Sequence, residues 1–312
     1  MWHVKVPASS ANLGSGLDTL GMALPLWLEC WFTPGPSLSI ELHGEGRGQA
    51  PQDERNLIWQ AAHALYRAKT GNSMPPGHLV VSSQIPMRRG LGSSGAAAVA
   101  GLVLANACLG GTVPIEELLQ WAASLEGHAD NAAAALYGGL VLVSQQNQRV
   151  MAIKYPAPEL SVVLVIPAYE VPTDISRALL PTQVPLADAV FNAQRVGVWI
   201  DALWRRNWDL LRTAGEDRLH QPYRSRAIPG MDHLLATALG AGACLAALSG
   251  SGPTVLALTQ PDDQSTVVQA LEHALRQLPE LDARVCVAVP HNDGAYAVRD
   301  IPRIPDEVTG SV

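Results

Sequence analysis

Lysine is almost absent from this chain, which has 21 Lys plus Arg residues against 28 Asp plus Glu. The lysines are Lys5, Lys69 and Lys154, and every other basic residue is an arginine. None of the three stands in a Gly-Lys-Ser/Thr sequence, which excludes a nucleotide loop of the Walker A type. The net charge of −7 also lacks the basic excess of nucleic-acid-binding proteins, so we expect no nucleic-acid partner.

Cysteines and long apolar runs are scarce as well. The four cysteines stand far apart without a CxxC pair, at Cys30, Cys108, Cys244 and Cys286. We therefore expect reduced, mostly buried thiols rather than a disulfide framework or a zinc site. No apolar stretch reaches the roughly 20 residues that a bilayer span needs, and the first residues, MWHVKVPASS, do not resemble a signal peptide. The prediction is a cytoplasmic protein without a membrane partner.

Short apolar runs alternate with segments of helical periodicity, which indicates an α+β protein. Strands are predicted at residues 3–6, 38–42, 79–83, 140–144, 162–166, 245–248, 254–258 and 284–289. Helices are predicted at 56–69, 94–109, 115–126, 131–137, 186–204, 231–239 and 265–278. Residues 94–109 are apolar nearly all round, as in a buried central helix. We predict two domains, 1–160 and 161–300, and a loosely ordered tail at 301–312.

The segment PMRRGLGSSGAAA, residues 86–98, leads into that helix. Glycines allow close backbone approach, and free amides at a helix N-terminus attract an anion; the alternative is a glycine turn with a serine N-cap. Gly90, Gly92 and Gly95 also fit the dinucleotide-binding pattern G-x-G-x-x-G, but Pro86-Met87-Arg88-Arg89 separates them from the strand and no ribose-binding acid follows. A phosphate loop of amides and hydroxyls remains, with Arg88 or Arg89 either touching phosphate or lying on the solvated surface.

Three further segments combine glycines with polar side chains. They are VPASSANLGSGLDTLG at 6–21, LEGHADNAAAALYGGL at 125–140 and LSGSGPTVLAL at 248–258. A phosphoryl-transfer site needs an amide cradle, an oxygen ligand for Mg²⁺ and residues that position the acceptor, and these segments supply each part. Plain structural alternatives exist, since Asp130 suits a helix N-cap and residues 248–258 suit a tight hairpin.

In order and spacing, these glycine-rich segments resemble the three motifs of the galactokinase, homoserine kinase, mevalonate kinase and phosphomevalonate kinase (GHMP) superfamily. The sequences at 7–18, 126–131, 173–181 and 222–230 are similar to those of its homoserine kinases. The resemblance implies a two-domain GHMP-kinase fold, with an N-terminal domain like domain 2 of ribosomal protein S5 and a C-terminal ferredoxin-like α/β sandwich. It also implies a homodimer that uses ATP and Mg²⁺ to phosphorylate L-homoserine to O-phospho-L-homoserine, on the route to threonine.

The same resemblance assigns roles to individual residues. ATP would be bound by Asn56, Arg89, Gly90, Leu91, Gly92, Ser93, Ser94, Gly95 and Ala96, and Mg²⁺ by Ser94 and Glu126. Homoserine would be bound by Asn12, Asp18, Asp130, Asn131, Arg177 and Arg224, of which Asp18, Asp130 and Asn131 would lie at the reacting groups.

The chemistry of homoserine agrees with those residue types. Its carboxylate suits an arginine fork, from Arg224 or the nearby Arg226, and its ammonium suits an aspartate. Related kinases often have an Asp where Asn131 stands, and a neutral amide cannot accept a proton. We therefore expect catalysis by positioning and charge stabilisation rather than by a dedicated base. Leu17 and Ala129 depart from the family pattern, which more often has Phe and Pro there. The alternatives are a superfamily kinase for another hydroxyl compound, such as mevalonate or a sugar, and a nucleotide-binding relative without kinase activity.

Overall fold

Two β-sheets organise the described part of the chain, residues 1–147, 149–299 and 304 of this computed structural model. In chain order the strands are β1 (Trp2–Asn12), β2 (Gly16–Pro34), β3 (Ser39–Gly44), β4 (Gly77–Ser83), β5 (Leu140–Gln146), β6 (Arg149–Tyr155), β7 (Ser161–Pro167), β8 (Leu245–Leu248), β9 (Val255–Thr259), β10 (Ala283–Ala288) and β11 (Tyr296–Arg299). The seven-stranded first sheet has the order β11–β1–β2–β4–β3, with β5 paired to β2 and β6 to β5. Only β3 and β4 pair in parallel among the described strands.

The helices pack against these sheets. In the same residues they are α1 (Leu57–Thr70), α2 (Ser93–Cys108), α3 (Ile115–Glu126), α4 (Asp130–Tyr137), α5 (Thr173–Ala178), α6 (Leu186–Arg205), α7 (Leu211–Ala214), α8 (Gln221–Arg224), α9 (Met231–Gly240) and α10 (Gln264–Arg276). α2 contacts α1, α3, α4 and β1, and its residues 95, 96 and 98–105 are buried, so the predicted central helix is confirmed. A Cβ at Gly101 would lie 2.1 Å from the carbonyl oxygen of Ile58, which shows how closely α1 and α2 cross. None of the described helices is both long and apolar enough to cross a membrane.

Alternation of side chains along β1 explains how the first sheet covers the helices. Val4 and Val6 are fully buried, whereas His3 and Lys5, which alternate with them, lie on the other face. Successive side chains of a strand point to opposite faces, so the valines face the core. His3 and Lys5 each contact the carboxylate of Glu29 on β2, at 2.8 and 3.1 Å, and these contacts link the two strands across the open face.

The second sheet has the order β10–β7–β9–β8, and all of its pairs are antiparallel. Its strands and helices follow a βαββαβ sequence, as in ferredoxin-like domains, and the predicted C-terminal architecture is confirmed. On β7, Val162, Leu164 and Ile166 join the large core shared with the first sheet, while Val163 and Val165 join a separate core under α9 and α10. Burial on both faces explains why β7 is a continuous apolar run.

The structure adds one long strand that the sequence analysis missed. β2 runs through Gly21 and Pro25, both of which indicate turns in a sequence. The register of β1 against β2 shifts between Pro7 and Ala8, where residues 25 and 26 of β2 have no partner on β1. Pro25 therefore lies in a bulge, where its missing N–H costs no ladder hydrogen bond.

The predicted division into domains 1–160 and 161–300 stays a prediction, but one pairing differs from it. β11 pairs with β1 in the first sheet, although the sequence assigned residues 296–299 to the second domain. The tail predicted at 301–312 lies outside the described residues, apart from Ile304. The two-domain α+β fold itself is confirmed by the two sheets and their helices.

Candidate active site

A cavity of about 680 Å³ lies between the two domains and is lined from both. The first domain contributes residues 11, 12, 18, 88, 90–95, 126, 128, 130 and 131, and the second contributes Thr173, Arg177, Arg224, Gly250 and Ser251. All of the residues predicted to bind homoserine are in this lining: Asn12, Asp18, Asp130, Asn131, Arg177 and Arg224. The tertiary structure therefore brings together polar groups from segments that are distant in the sequence.

The glycine-rich loop ends at the N-terminus of α2, beside this cavity. Gly90 and Gly92 have φ angles of 76° and 70°, in the left-handed region that glycine adopts without strain. A Cβ at Gly90 would lie 2.1 Å from the carbonyl oxygen of Ser249, and one at Gly92 would lie 2.0 Å from Ser9 Oγ. The first amides of α2 have no acceptor within the helix, and the positive end of the helix dipole lies there too. The loop is thus built to bind an anion.

A second cavity, of about 1040 Å³, adjoins the first. Arg88, Ser93 and Ser94 line both cavities, so the two meet at the N-terminus of α2. Apolar side chains such as Leu42 and Ile58 also line the second cavity. An elongated ligand with an apolar or aromatic end and an anionic end fits this arrangement, with its anionic end at the helix amides.

Asn56 lines the second cavity, but its side chain is occupied by the backbone. It is the N-cap of α1, where its Oδ1 accepts from the N–H of Ile58 at 3.0 Å and its Nδ2 donates to the carbonyl of Pro51 at 2.8 Å. Asn56 therefore shapes the wall of this cavity by holding the start of α1.

Two residues predicted to bind ATP line neither cavity. Ala96 is buried within α2, and its N–H bonds to the carbonyl of Gly92. Arg89 instead reaches the second domain, where Nε donates to the carbonyl of Pro167 at 2.8 Å and Nη2 to that of Ala168 at 2.5 Å. The guanidinium of Arg89 thus joins the two domains, and its assignment to ATP binding stays a prediction.

Arg88 is the neighbouring arginine that lines both cavities, although it was not chosen from the sequence. Its φ of 54° turns the chain at this point, so that Arg88 and Arg89 extend in different directions. One nitrogen of Arg88 lies 3.5 Å from the carboxylate of Glu170, and the side chain is 62% exposed. Neither the residue type nor the spacing distinguishes the two arginines, so the sequence carried no signal for this choice.

Ser94 and Glu126, the predicted magnesium ligands, are in direct contact. Ser94 Oγ donates to Glu126 Oε1 at 2.6 Å, joining the first turn of α2 to the last residue of α3. Mg²⁺ commonly takes only one or two protein oxygens and completes its shell with water and phosphate. A hydroxyl and a carboxylate beside the anion loop fit that pattern. Among the described residues there is no cluster of three His, Cys, Asp or Glu side chains that could hold a metal by itself.

Asp18 and Arg177 form a bidentate ion pair across the cavity. Arg177 Nη2 donates to Asp18 Oδ1 at 2.7 Å, and Nη1 donates to Oδ2 at 3.1 Å. The hydrogen bond to Asp18 raises the pKa of Arg177. Asn12 supports the pair, because its Oδ1 accepts from the N–H of Asp18 while its Nδ2 donates to the carbonyl of Gly250. Asp18 also has a φ of 52°, a left-handed conformation that Asp tolerates better than most residues.

A hydrogen-bonded group surrounds the start of α4. The buried carboxylate of Asp130 accepts from the N–H of Asn131 at 2.8 Å, and His128 Nδ1 lies 3.1 Å from it. This contact raises the pKa of His128, against the opposing effect of burial. Asn131 Oδ1 accepts from Ser9 Oγ at 2.9 Å. Asp130 follows the N-cap, Ala129, so the simple capping alternative does not hold. His128 lines the cavity but was not chosen from the sequence, although its place in Gly-His-Ala-Asp-Asn was a usable signal.

The two neighbouring arginines of the second domain lie in different places. Arg224 is 2% exposed and lines the cavity, whereas Arg226 lies near the ring of Tyr223 and lines a separate hollow. Arg224 donates from Nε to the carbonyl of Ser176 and from Nη1 to that of Gly250. Burial lowers the pKa of Arg224 to about 10, which leaves it cationic at neutral pH.

Comparison with known proteins gives consistent matches along the chain. The family model of the GHMP kinases N terminal domain matches residues 56–139, and that of the GHMP kinases C terminal matches residues 199–277. The homoserine kinase of Carboxydothermus hydrogenoformans is 41% identical over 293 residues, which cover 94% of this chain and 95% of that protein. The homoserine kinase of Moorella thermoacetica is 46% identical over 255 residues, which cover 81% and 86%.

Solved structures extend the likeness to the fold. A crystal structure of homoserine kinase from Cytophaga hutchinsonii has a TM-score of 0.84 at 30% identity, covering 95% of this chain and 96% of that one. A mevalonate kinase from L. major, in complex with R-mevalonate, has a TM-score of 0.65 at 17% identity, covering 92% and 95%. The latter likeness concerns the fold alone.

Proposed function

This chain belongs to the homoserine kinase family within the GHMP kinases, and from that premise we propose that it transfers the γ-phosphoryl group of ATP to the side-chain hydroxyl of L-homoserine. The product is O-phospho-L-homoserine. The observation that carries the proposal is that two cavities meet at the N-terminus of α2, one with apolar walls and one with an ion pair and a buried arginine. The nucleoside of ATP would occupy the former and homoserine the latter, with the phosphates at the helix amides between them.

The charges of the first cavity support an amino-acid zwitterion as the acceptor. Asp18 and Arg177 form an ion pair with each other, and each of the two side chains is about two-fifths exposed. A zwitterion can replace both contacts at once, because its ammonium suits Asp18 and its carboxylate suits Arg177. Arg224 adds a second guanidinium for the carboxylate. A neutral sugar would leave the pair unused, and mevalonate lacks the ammonium.

The hydroxyl of homoserine would lie toward the α4 terminus, where Asp130, Asn131 and His128 line the cavity. The amide of Asn131 cannot accept a proton. Asp130 already accepts a hydrogen bond from the backbone N–H of Asn131 and faces His128. We therefore assign these residues to orientation of the acceptor. Phosphoryl transfer through a loose transition state depends mainly on alignment and charge stabilisation, so a dedicated base is not required.

Ser94 and Glu126 would hold Mg²⁺, since their oxygens already touch beside the anion loop. When bound, the cation neutralises charge on the phosphates. The chain's own contribution is to keep a hydroxyl and a carboxylate together at the end of two packed helices. A homodimer, a cytoplasmic location and a place on the route to threonine stay predictions.

A coupled ADP-release assay tests the proposal directly. The enzyme is given ATP and Mg²⁺ with L-homoserine, L-serine, L-threonine, mevalonate or galactose, and phosphorylated products are identified by mass spectrometry. We expect turnover with homoserine and little or none with the other acceptors. Turnover confined to mevalonate or galactose would refute the assignment of the acceptor but keep the kinase site. ATP binding without turnover on any acceptor would favour a nucleotide-binding relative without kinase activity.

A further inference from the structure

A buried histidine outside the predicted site lies against Arg224. His220 is fully buried and immediately precedes α8, four residues before Arg224 at its end. Residues four apart in a helical turn lie on one face, so the two side chains meet. His220 Nδ1 is 3.2 Å from Arg224 Nη1, and His220 Nε2 is 2.6 Å from the carbonyl oxygen of Gly14. The ring thus connects the β1–β2 loop of the first domain to the arginine of the second.

The partners of the ring determine which nitrogen carries the proton. A carbonyl oxygen only accepts hydrogen bonds, so Nε2 must carry the hydrogen that it donates to Gly14. A guanidinium only donates, so Nδ1 must be the unprotonated acceptor for Arg224. Both bonds exist together only in the neutral Nε2–H tautomer. Burial lowers the pKa of His220 and so favours the neutral ring, as does the positive charge of Arg224, although the Asp217 carboxylate opposes this.

Asp217 holds the backbone that carries this histidine. Its side chain is fully buried and accepts from the N–H groups of Leu219, His220 and Gln221 at 2.8, 3.0 and 2.6 Å. Asn192 on α6 donates to the same carboxylate at 2.7 Å. A buried carboxylate with four donors leaves the following turn little freedom. The position of the His220 ring is therefore set by the fold and does not depend on a ligand.

The guanidinium of Arg224 is in turn held on two sides. Nη1 donates to His220 Nδ1 and to the carbonyl of Gly250, and Nε donates to the carbonyl of Ser176. None of the described residues accepts a hydrogen bond from Nη2. The planar guanidinium of Arg224 is thus held by protein at Nε and Nη1, and its Nη2 is left for another partner.

We propose that His220 is a positioning residue for acceptor binding: its unprotonated Nδ1 holds Nη1 of Arg224 so that Nη2 is presented to the substrate carboxylate. This inference rests on the proposed function, because it takes homoserine as the ligand of Arg224. His220 would not touch the substrate, but it would determine the orientation in which Arg224 binds the substrate carboxylate.

A matched pair of variants separates the two hydrogen bonds of the ring. In His220→Asn, the amide oxygen lies about where Nδ1 was and keeps an acceptor for Arg224, while the donor to Gly14 is lost. In His220→Gln, the amide reaches the place of Nε2 and keeps the donor, while the acceptor for Arg224 is lost. Both variants bury an amide in place of the ring, so both carry a similar cost to the fold.

We expect His220→Gln to raise the KM for homoserine about 10-fold or more, because a misplaced binding group weakens the productive geometry. The KM for ATP should stay within about twofold, and His220→Asn should keep the homoserine KM within about threefold of wild type. Equal effects of the two variants on the homoserine KM would overturn the proposal, as would an effect of His220→Gln on ATP alone.

Measurement of the wild-type protein tests the contact without any substitution. Nitrogen-15 NMR of labelled histidines, with His220 assigned from sequential connectivities in the wild-type protein, should show a protonated Nε2 and an unprotonated Nδ1 at neutral pH. A protonated Nδ1 would overturn the proposal even if both variants proved too unstable to assay. Absence of homoserine turnover in wild type would instead refute the proposed function, since the NMR result does not depend on substrate.

Discussion

Replacing Asp18 by Asn should separate recognition of the substrate ammonium from every other part of the site. Asn has nearly the same shape and, like Asp, tolerates the left-handed conformation seen here at a φ of 52°. The change removes the negative charge but keeps an oxygen that can accept from Arg177. The N–H of residue 18 still donates to Asn12, so the loop keeps its backbone support.

The structure sets the size of the expected effects. Asp18 and Arg177 are 44% and 38% exposed, and an ion pair this accessible contributes at most about 1 kcal/mol to folding. A hydrogen bond to a charged group contributes roughly 1.5–3 kcal/mol, which corresponds to roughly a 10- to 150-fold loss of kcat/KM for homoserine. The variant should therefore fold normally and bind ATP normally, yet require much more homoserine.

The assay compares homoserine with 4-hydroxybutanoate, which has the same carboxylate and hydroxyl but no ammonium. The wild-type preference for homoserine, as a ratio of kcat/KM values, should be about equal to the factor by which Asp18→Asn lowers kcat/KM for homoserine. The variant should show little preference between the two acceptors. Retention of the wild-type preference by Asp18→Asn would refute the assignment, because the ammonium would then be recognised elsewhere.

Three other changes have distinct expected results. Glu126→Gln should lower turnover by at least about 100-fold at limiting Mg²⁺. Even residues that only support a metal ligand typically change metal affinity or activity by about 10–100-fold when they are replaced. Wild-type turnover at all Mg²⁺ concentrations would contradict the metal assignment. Trp199→Phe removes a buried N–H that donates to the Leu13 carbonyl at 3.1 Å. Urea unfolding should show that the free energy of unfolding falls by about 2–4 kcal/mol. A decrease below about 1 kcal/mol would count against that hydrogen bond. Arg88→Met should raise the KM for ATP several-fold. Arg89→Met should lower the unfolding midpoint without changing that KM. A raised KM for ATP in Arg89→Met, but not in Arg88→Met, would favour Arg89 at the phosphate site.

Much of the fold was predictable because its signals are local. Residues 93–108 are almost entirely Ala, Val, Leu and Gly, and such a helix has no polar face to give to water. The glycine-rich turn before it exposes amides at a helix N-terminus whatever the rest of the chain does. β2 was missed because Gly21 and Pro25 indicate a turn locally. In the structure Gly21 pairs with both β1 and β5, and a bulge against β1 accommodates Pro25.

The site was predictable only as a set of residue types. Arg88 and Arg89 are adjacent, and the backbone conformation at Arg88 decides which of them lines the cavities. Arg224 and Arg226 are two positions apart, which is roughly half a helical turn, so they extend to different sides. His128 stood beside chosen residues and could have been included on that ground.

By itself, the sequence determined the central helix, the amide cradle at its start and the chemistry of the groups that the site needs. The tertiary structure alone decided which of those groups meet. Asn12 reaches the carbonyl of Gly250 across 238 positions of sequence, and His220 reaches that of Gly14 across 206. Hydrogen bonds act only over a few ångströms, so such pairs exist only after the two sheets have packed on a shared core. That packing depends on the whole chain at once, and no local pattern encodes it.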